Sequence, residues 1–549
     1  MNIVNLLLAF VYLISWLLPN HYLPWLAAYQ DSLTIFSLLA LCLYWLVKTN
    51  QAIKISNFNL ILLTTSLIPL VQWIFGISHY LGDTVLSSYY LILLALAFTL
   101  SSNIKKDNLY LFFCITIIIA ACLSTWIALR QLLLLSGSIW VVDLAPNARP
   151  FANLGQPNNF STLIGLGLAA ALYLYEKKII NNISSASLAL FLIIGLVISQ
   201  SRTPWLALIA VYLFLLYKHY SISKLRLTPI KLTLLIILFA IVTVIFPLFT
   251  KLLYLQSTEL SQRALAASRL DLYQQFLYAI TEGPLYGYGV LQSHAAQIAA
   301  SNKYQIYEIA EYTHNIMLDI LVWFGPIIGL IIIGSTGYWI IKIGLSAKSI
   351  ESITALLAAG FILTHSMLEY PHAYAQFLIP LGIYLGKASQ DLSNKYLFSV
   401  PKKIFVALTL FTAFLGGIII YEYILIEKDF RAMRFETSNI ISKHKNHTPN
   451  IYLLDNLKDH ISFARVNIEY NLSDQEINEI KKTVLRYPYS FALIKYINIL
   501  AINNKEKELE TFLNILKKMH KDHHYAQAQF ILKQLSKQHP YLLEFLDKP

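Results

Sequence analysis

The sequence predicts an all-α polytopic membrane protein. About 13 transmembrane helices are expected, with a helical loop region on the outer side and a C-terminal domain of helical hairpins. Three observations predict this. Of 549 residues, 57% are hydrophobic and only 13% charged, which leaves too little polar surface to cover a water-soluble globule. Apolar stretches of roughly 20 residues, enough to cross a hydrocarbon core, recur along the chain. Lys and Arg crowd into alternate loops, the pattern that orients membrane helices.

Taken in order, the spans fall at 2–18, 32–47, 58–77, 84–100, 109–135, 158–175, 186–200, 203–220, 229–250, 314–341, 351–368, 373–388 and 403–426. The first has no basic flank and no small-residue cleavage site before Pro19, so it reads as a retained span. The seventh stops at SQSRTPW, which predicts a helical hairpin of spans seven and eight with a polar tip. Loops after even-numbered spans hold Lys48 and Lys54; Lys105 and Lys106; Lys177 and Lys178; Lys218, Lys224 and Arg226; Lys342 and Lys348; and Lys387, Lys395, Lys402 and Lys403. Segments 19–31, 77–83 and 369–372 hold no Lys or Arg. This asymmetry places the N-terminus in the cytoplasm, and an odd span count places the C-terminal segment outside.

The remaining composition is consistent with this. The 35 Tyr and nine Trp suit interfacial belts. The formal charge of +12 follows from topology and is no argument for nucleic acid. Cys42, Cys114 and Cys122 all lie in apolar stretches, so no disulfide framework is implied.

Two hydrophilic pieces fall outside the membrane region 1–426 or on its outer side: the loop 251–313 and the segment 427–549. In the second, SFALIKYINILAI, KELETFLNILKKMH and YAQAQFILKQLSKQ have helical apolar periodicity. They point to a helical-hairpin domain of tetratricopeptide type, without the full repeat signature. Such a surface either binds a protein or only caps the last span; both readings stand.

Five polar clusters interrupt the apolar pattern, all at outer ends or on outer loops. Arg149 comes with Asn153, Gln156, Asn158 and Asn159. Gln200, Ser201, Arg202 and Thr203 form the SQSRT tip. Arg269 and Asp271 precede a Gly/Pro turn at 283–289. His314 and Asn315 open a span with Asp319 one turn in. Glu369, Tyr370, His372, Tyr374 and Gln376 share LEYPHAYAQ. Singly, each has a plain reading: Arg202 snorkels, PNN caps a helix, His314 begins one, and Tyr370 and Tyr374 are belt tyrosines. With no HExxH or CxxC, no metal is expected.

Their common side changes the weighing. Arg149, Arg202 and Arg269 lining one cavity would make an anion site, because guanidinium groups pair with phosphate oxygens. Span starts at Asn158 and His314 add free amides and a positive dipole end. Phosphate at the outer leaflet and at lipid depth fits a polyisoprenyl pyrophosphate.

RPFANLGQPNN, SQSRTPW, THNIMLDILVWFGPIIGL and LEYPHAYAQFLIPLG, in this order, resemble the bacterial protein O-oligosaccharyltransferases of the O-antigen ligase superfamily. The resemblance implies transfer of a preassembled oligosaccharide from undecaprenyl pyrophosphate to a Ser or Thr hydroxyl of an exported protein such as a pilin. It assigns catalytic roles to Gln156, Arg202, His314 and Tyr370, with Tyr374 the neighbouring alternative. Arg149 and Arg269 match recurring family arginines less specifically, and pyrophosphate or glycan contacts are expected of Arg149, Arg269, Asn158, Asn159, Asn315, Glu369, His372 and Tyr374. A neutral imidazole at His314 suits a general base; protonated, it would bind phosphate. No cofactor beyond the lipid-linked co-substrate is expected. The expected setting is the bacterial inner membrane, with the site and C-terminal domain periplasmic. The rival readings are an O-antigen ligase acting on lipid A core, an O-antigen polymerase and, from another class, a lipid-linked glycan transporter.

Overall fold

The protein is described by a computed structural model covering residues 3–546 apart from 106, 136, 146–147, 223–224, 254–268, 394, 439 and 441–448. Lys106, Lys224 and the stretch 254–268 of the expected outer loop lie outside the described residues. The chain is nearly all helical. Each expected span has a helix: α1 Ile3–Leu17, α2 Ala28–Lys48, α3 Asn57–Ile74, α4 Leu81–Asn103, α5 Asp107–Leu132, α6 Pro157–Glu176, α7 Asn182–Ser199, α8 Thr203–Ile222 and α9 Pro229–Leu252. After two short helices, α10 Arg269–Glu282 and α11 Ser293–Ala300, come α12 Ile316–Ser346, α13 Ile350–Ser366, α14 Ala375–Ala388 and α15 Lys402–Thr437.

Among the described residues, nine of these are long and apolar enough to cross a membrane; α1 and α13 are apolar but shorter. The most apolar, α9, has a mean hydropathy of 2.9 and is only 11% buried. In contrast, α6 and α14 bury nearly every side chain yet are not among the nine. Burial and hydropathy do not run together here: α9 is strongly apolar and mostly exposed, whereas α6 is long enough and buried but falls outside the nine.

Two compact units divide the chain. The first is Met1–Thr65, Tyr89–Ala267 and Gly334–Gly417; the second is Ser66–Ser88, Ser268–Ile333 and Ile418–Pro549. In the first, α6 packs against α5, α7 and α13, and α13 against α14. Small residues permit this: a Cβ on Gly165 would strike the Phe361 ring of α13, and one on Gly167 would strike Ala121 of α5. The expected hairpin of spans seven and eight is present as a three-residue turn, but α8 packs on α13 and α6 more than on α7. The Ser201 hydroxyl donates to Asn158 Oδ1 at 2.5 Å and draws the turn onto α6.

One end of the first unit gathers the lysine-bearing loops. Glu351 pairs with Lys177, and the Glu176 carboxylate accepts the Arg226 and Leu227 amides, each at 2.8 Å. Lys218 Nζ donates to Ala347 O at 2.7 Å, and Lys402 Nζ to Thr49 O at 2.9 Å. A small antiparallel sheet that the sequence does not announce, β1 Ile53–Ser56 on β2 Tyr396–Val400, closes this end. Burial holds Lys395 down to about 8, and Lys105, Lys387 and Lys54 add to the effect.

The first part of α12 belongs to the second unit, and the helix is broken where 314–341 predicts one continuous span. Gly325 takes φ +79° and ψ 166°, and Pro326 follows. Proline cannot donate to the carbonyl four residues earlier, and Val322 O accepts the Tyr288 amide instead at 2.8 Å. Gln72 Nε2 donates to Trp323 O at 2.7 Å, while its Oε1 accepts the Val290 amide at 3.1 Å.

The C-terminal part of this unit holds α16 Asp455–Arg465, α17 Asp474–Arg486, α18 Ser490–Ile502, α19 Glu506–Met519 and α20 Asp522–Leu535. Its core is α18, with Leu493, Tyr496, Ile497 and Leu500 fully buried among α17, α19 and α20. Glu422 on α15 accepts the amides of Tyr452, Leu453 and Leu454, and Arg465 pairs with Asp429 and Glu436. Arg486, 3% exposed, donates to both Asp83 oxygens at 2.7 and 3.0 Å.

His294, 2% exposed, pairs its Nδ1 with Arg486 O at 2.8 Å. Burial, and then the Arg486 charge, press it down from 6.5 to about 3; burial likewise presses His460 to about 4. Both are neutral in the fold and protonate on unfolding, so their stabilisation is complete above about pH 6.5 and declines as pH falls toward the folded values. Acidifying to pH 5 is expected to cost about 2 kcal/mol per imidazole. Thermal unfolding at pH 7 and 5 checks this, and His294→Gln should show a smaller acid shift than wild type.

Candidate active site

The site is built at the end of the first unit opposite the lysines. The loop 149–156 is clamped before α6 begins. Gln131, near the end of α5, accepts the Phe151 and Ala152 amides on Oε1 at 3.1 and 2.8 Å. Its Nε2 donates to Ala152 O and Val142 O. Asn153, 1% exposed, donates to Leu17 O and Trp140 O, both at 2.7 Å. His21 bonds to Asn153 O at 2.9 Å. The loop thus has its polar groups fixed from several elements, a prerequisite for holding side chains in one geometry.

Gln156 is the N-cap of α6 in extended conformation, with Pro157 at the first helical position. Its side chain does not cap the helix; Nε2 reaches the Tyr370 hydroxyl at 3.1 Å. Two residues on, Asn158 Nδ2 donates to Glu369 Oε1 at 2.9 Å while its Oδ1 accepts from Ser201. Arg149 Nη1 donates to Gln200 O at 3.2 Å. Gln200 ends α7 with a left-handed φ of +47°, which throws Ser201 and Arg202 into the turn, where Arg202 is exposed. Tyr370 and Tyr374 stack at 6.3 Å between centroids. His372 lies in the single 3-10 turn Pro371–Ala373 that separates them.

These contacts gather Arg149, Gln156, Asn158, Ser201, Glu369 and Tyr370 at the positive end of the α6 dipole. Asn159 turns away: it is buried and donates to Leu154 O at 3.1 Å, closing the loop. Gln376 likewise bonds to Ser15 O.

Arg269, His314 and Asn315, also predicted from the sequence, lie in the second unit. His314 has a left-handed φ of +58°, a conformation that costs a residue with a Cβ about 1 kcal/mol or more. The turn around it is over-determined. Thr313 N donates to Asp319 Oδ1 at 2.7 Å, Thr313 Oγ1 donates to Asn315 O at 2.8 Å, and Tyr273 Oη donates to His314 O at 3.1 Å. Asn315 Oδ1 accepts the Met317 and Leu318 amides and so caps α12. Arg269 sits one turn before Tyr273 on α10, on the same helix face.

Sequence reading missed Gln131, and also His365, fully buried with Nδ1 at 2.9 Å from Thr162 Oγ1. Each is a polar residue inside an apolar span, the signal that could have found it. Among the described residues, no three His, Cys, Asp or Glu side chains gather as metal ligands.

Three family models match the chain. The one described as O-Antigen ligase matches residues 187–334, the segment with Arg202, Arg269 and His314. Protein glycosylation ligase matches 150–175, with Gln156 and Asn158. Virulence factor membrane-bound polymerase, C-terminal, matches 353–534, with Glu369 and Tyr370. A General O-oligosaccharyltransferase of Acinetobacter baylyi is 29% identical over 530 residues, covering 93% of this chain and 92% of the relative. A ComP-specific O-oligosaccharyltransferase of the same organism is 29% identical over 489 residues, covering 86% and 87%.

Proposed function

We propose that this glycosyltransferase, an O-oligosaccharyltransferase of the O-antigen ligase superfamily, moves a preassembled oligosaccharide from undecaprenyl pyrophosphate to a Ser or Thr hydroxyl of an exported protein, with a pilin as the acceptor. The observation that carries the reading is the Gln156–Tyr370 and Asn158–Glu369–Ser201 cluster at the start of α6. It lies at the end of the first unit opposite the loops that carry Lys177, Lys218, Lys348 and Lys402. With the basic end cytoplasmic, that cluster faces the periplasm of the inner membrane.

Diphosphate is a stable anion and leaves without protonation, so the barrier is lowered by stabilising charge as C1–O breaks and by placing the nucleophile. Arg202, with Arg149 and Arg269, neutralises the departing pyrophosphate. His314 accepts the acceptor hydroxyl proton as oxygen attacks C1. Gln156 and Asn158 orient the sugar or pyrophosphate, and Tyr370 borders the acceptor path. Direct displacement inverts C1 and requires no metal.

Arg202→Lys is expected to lose activity by about tenfold or more although the charge is kept, because lysine cannot pair two donors with phosphate. Initial transfer rates check this, and equal rates would remove bidentate binding from the reading. The whole proposal is tested by mass spectrometry of a co-expressed pilin with and without this chain. A glycan mass shift on pilin supports it. Glycan appearing on lipopolysaccharide instead would favour the ligase reading that the match over 187–334 keeps open.

A further inference from the structure

An open cleft of about 300 Å³ on the C-terminal helices is lined by Ser490, Phe491, Ile494 and Asn498 of α18, with His524 and Gln527 of α20 opposite. At the start of α18, aromatic rings step outward from the core: Tyr487 is 9% exposed, Tyr489 38% and Phe491 55%. Neighbouring rings are near parallel, 23° and 13° apart, with centroids at 6.5 and 6.0 Å. The last ring offers an open apolar face beside short polar side chains.

Those polar groups ask for a donor. Asn498 is 7% exposed, and among the described residues its sealed Oδ1 has no hydrogen-bond partner; the same holds for His524 Nδ1. The terminal torsion of an asparagine is soft, so a ligand in the cleft can recover that oxygen. The cleft's one ammonium is already engaged: Lys495 Nζ donates to Phe463 O and Ala464 O, each at 2.9 Å. An anionic ligand therefore finds little to hold it. An uncharged ligand with hydroxyl donors at its edge and an apolar face matches the lining, and a small number of placed polar groups in an apolar wall is how pockets fix orientation.

We infer that this cleft is a carbohydrate subsite taking one uncharged pyranose, its C–H face on Phe491 and its hydroxyls toward Asn498, His524 and Gln527. The subsite uses neither His314 nor the pyrophosphate contacts, so it stands or falls apart from the transfer chemistry. The test is saturation-transfer NMR on the full chain in lipid nanodiscs, because maltoside detergents carry sugars themselves. The probes are glucose, galactose, N-acetylglucosamine and N-acetylgalactosamine, with an uncharged tripeptide as the competing class. Saturation of at least one pyranose is expected, weakened about tenfold by Phe491→Ala and unchanged by His314→Ala. Phe491 is exposed, so its removal leaves the core intact, and Gln527→Ala at another exposed position should also weaken the signal. No pyranose signal, a signal indifferent to both variants, or Phe491-dependent saturation of the tripeptide alone overturns the inference.

Discussion

Transfer by a His314→Ala chain is expected to fall by about 10²–10⁴-fold, the usual contribution of a positioned general base. The structure refines how this should be measured. His314 sits at φ +58°, where alanine is strained but asparagine is well tolerated. His314→Asn therefore keeps the turn that Thr313, Asp319 and Tyr273 define and removes only the proton acceptor. Both variants should insert into the membrane like wild type and be inactive on a co-expressed pilin. Wild-type-like glycosylation in His314→Asn would remove both the base and the phosphate-ligand roles. The pH–rate profile separates those two: a base requires the neutral imidazole, so activity falls in acid, whereas a phosphate ligand requires the protonated form, so activity falls in alkali.

The largest effect on stability is expected at Arg486. Burial works against its charge, but the Asp83 carboxylate more than compensates and holds the guanidinium ionised. Arg486→Met leaves Asp83, 1% exposed, without its cation. Breaking one side of such a buried pair costs about 3–5 kcal/mol. Faster protease cleavage within 449–546 and a lower unfolding temperature in detergent are the expected readouts. Arg486→Met combined with Asp83→Asn should recover much of the loss, because no buried charge is then left unpaired. A double variant as unstable as the single one would mean that Arg486 acts by packing.

The site was only partly legible in the sequence. The chemistry-bearing residues stood out because amides, arginines and histidines are costly near lipid. Their roles did not follow from identity alone. Asn158 and Asn159 are adjacent and alike in type, yet one bridges Glu369 to Ser201 and the other closes a loop. Asn315 stood beside His314 as a substrate contact, and its side chain caps α12. The break at Gly325 was written in WFGP, but its meaning depends on Gln72, 251 residues away from the Trp323 carbonyl it satisfies.

By itself the sequence determined that the chain is helical and crosses a membrane several times, and which loops are basic. Those properties arise residue by residue, from transfer free energy and from periodicity within one helix. Tertiary structure alone decided that α6 is central, that Gln156 meets Tyr370 across 214 residues and that Arg486 meets Asp83 across 403. Such pairings depend on which helices pack side by side, and no local pattern encodes that choice.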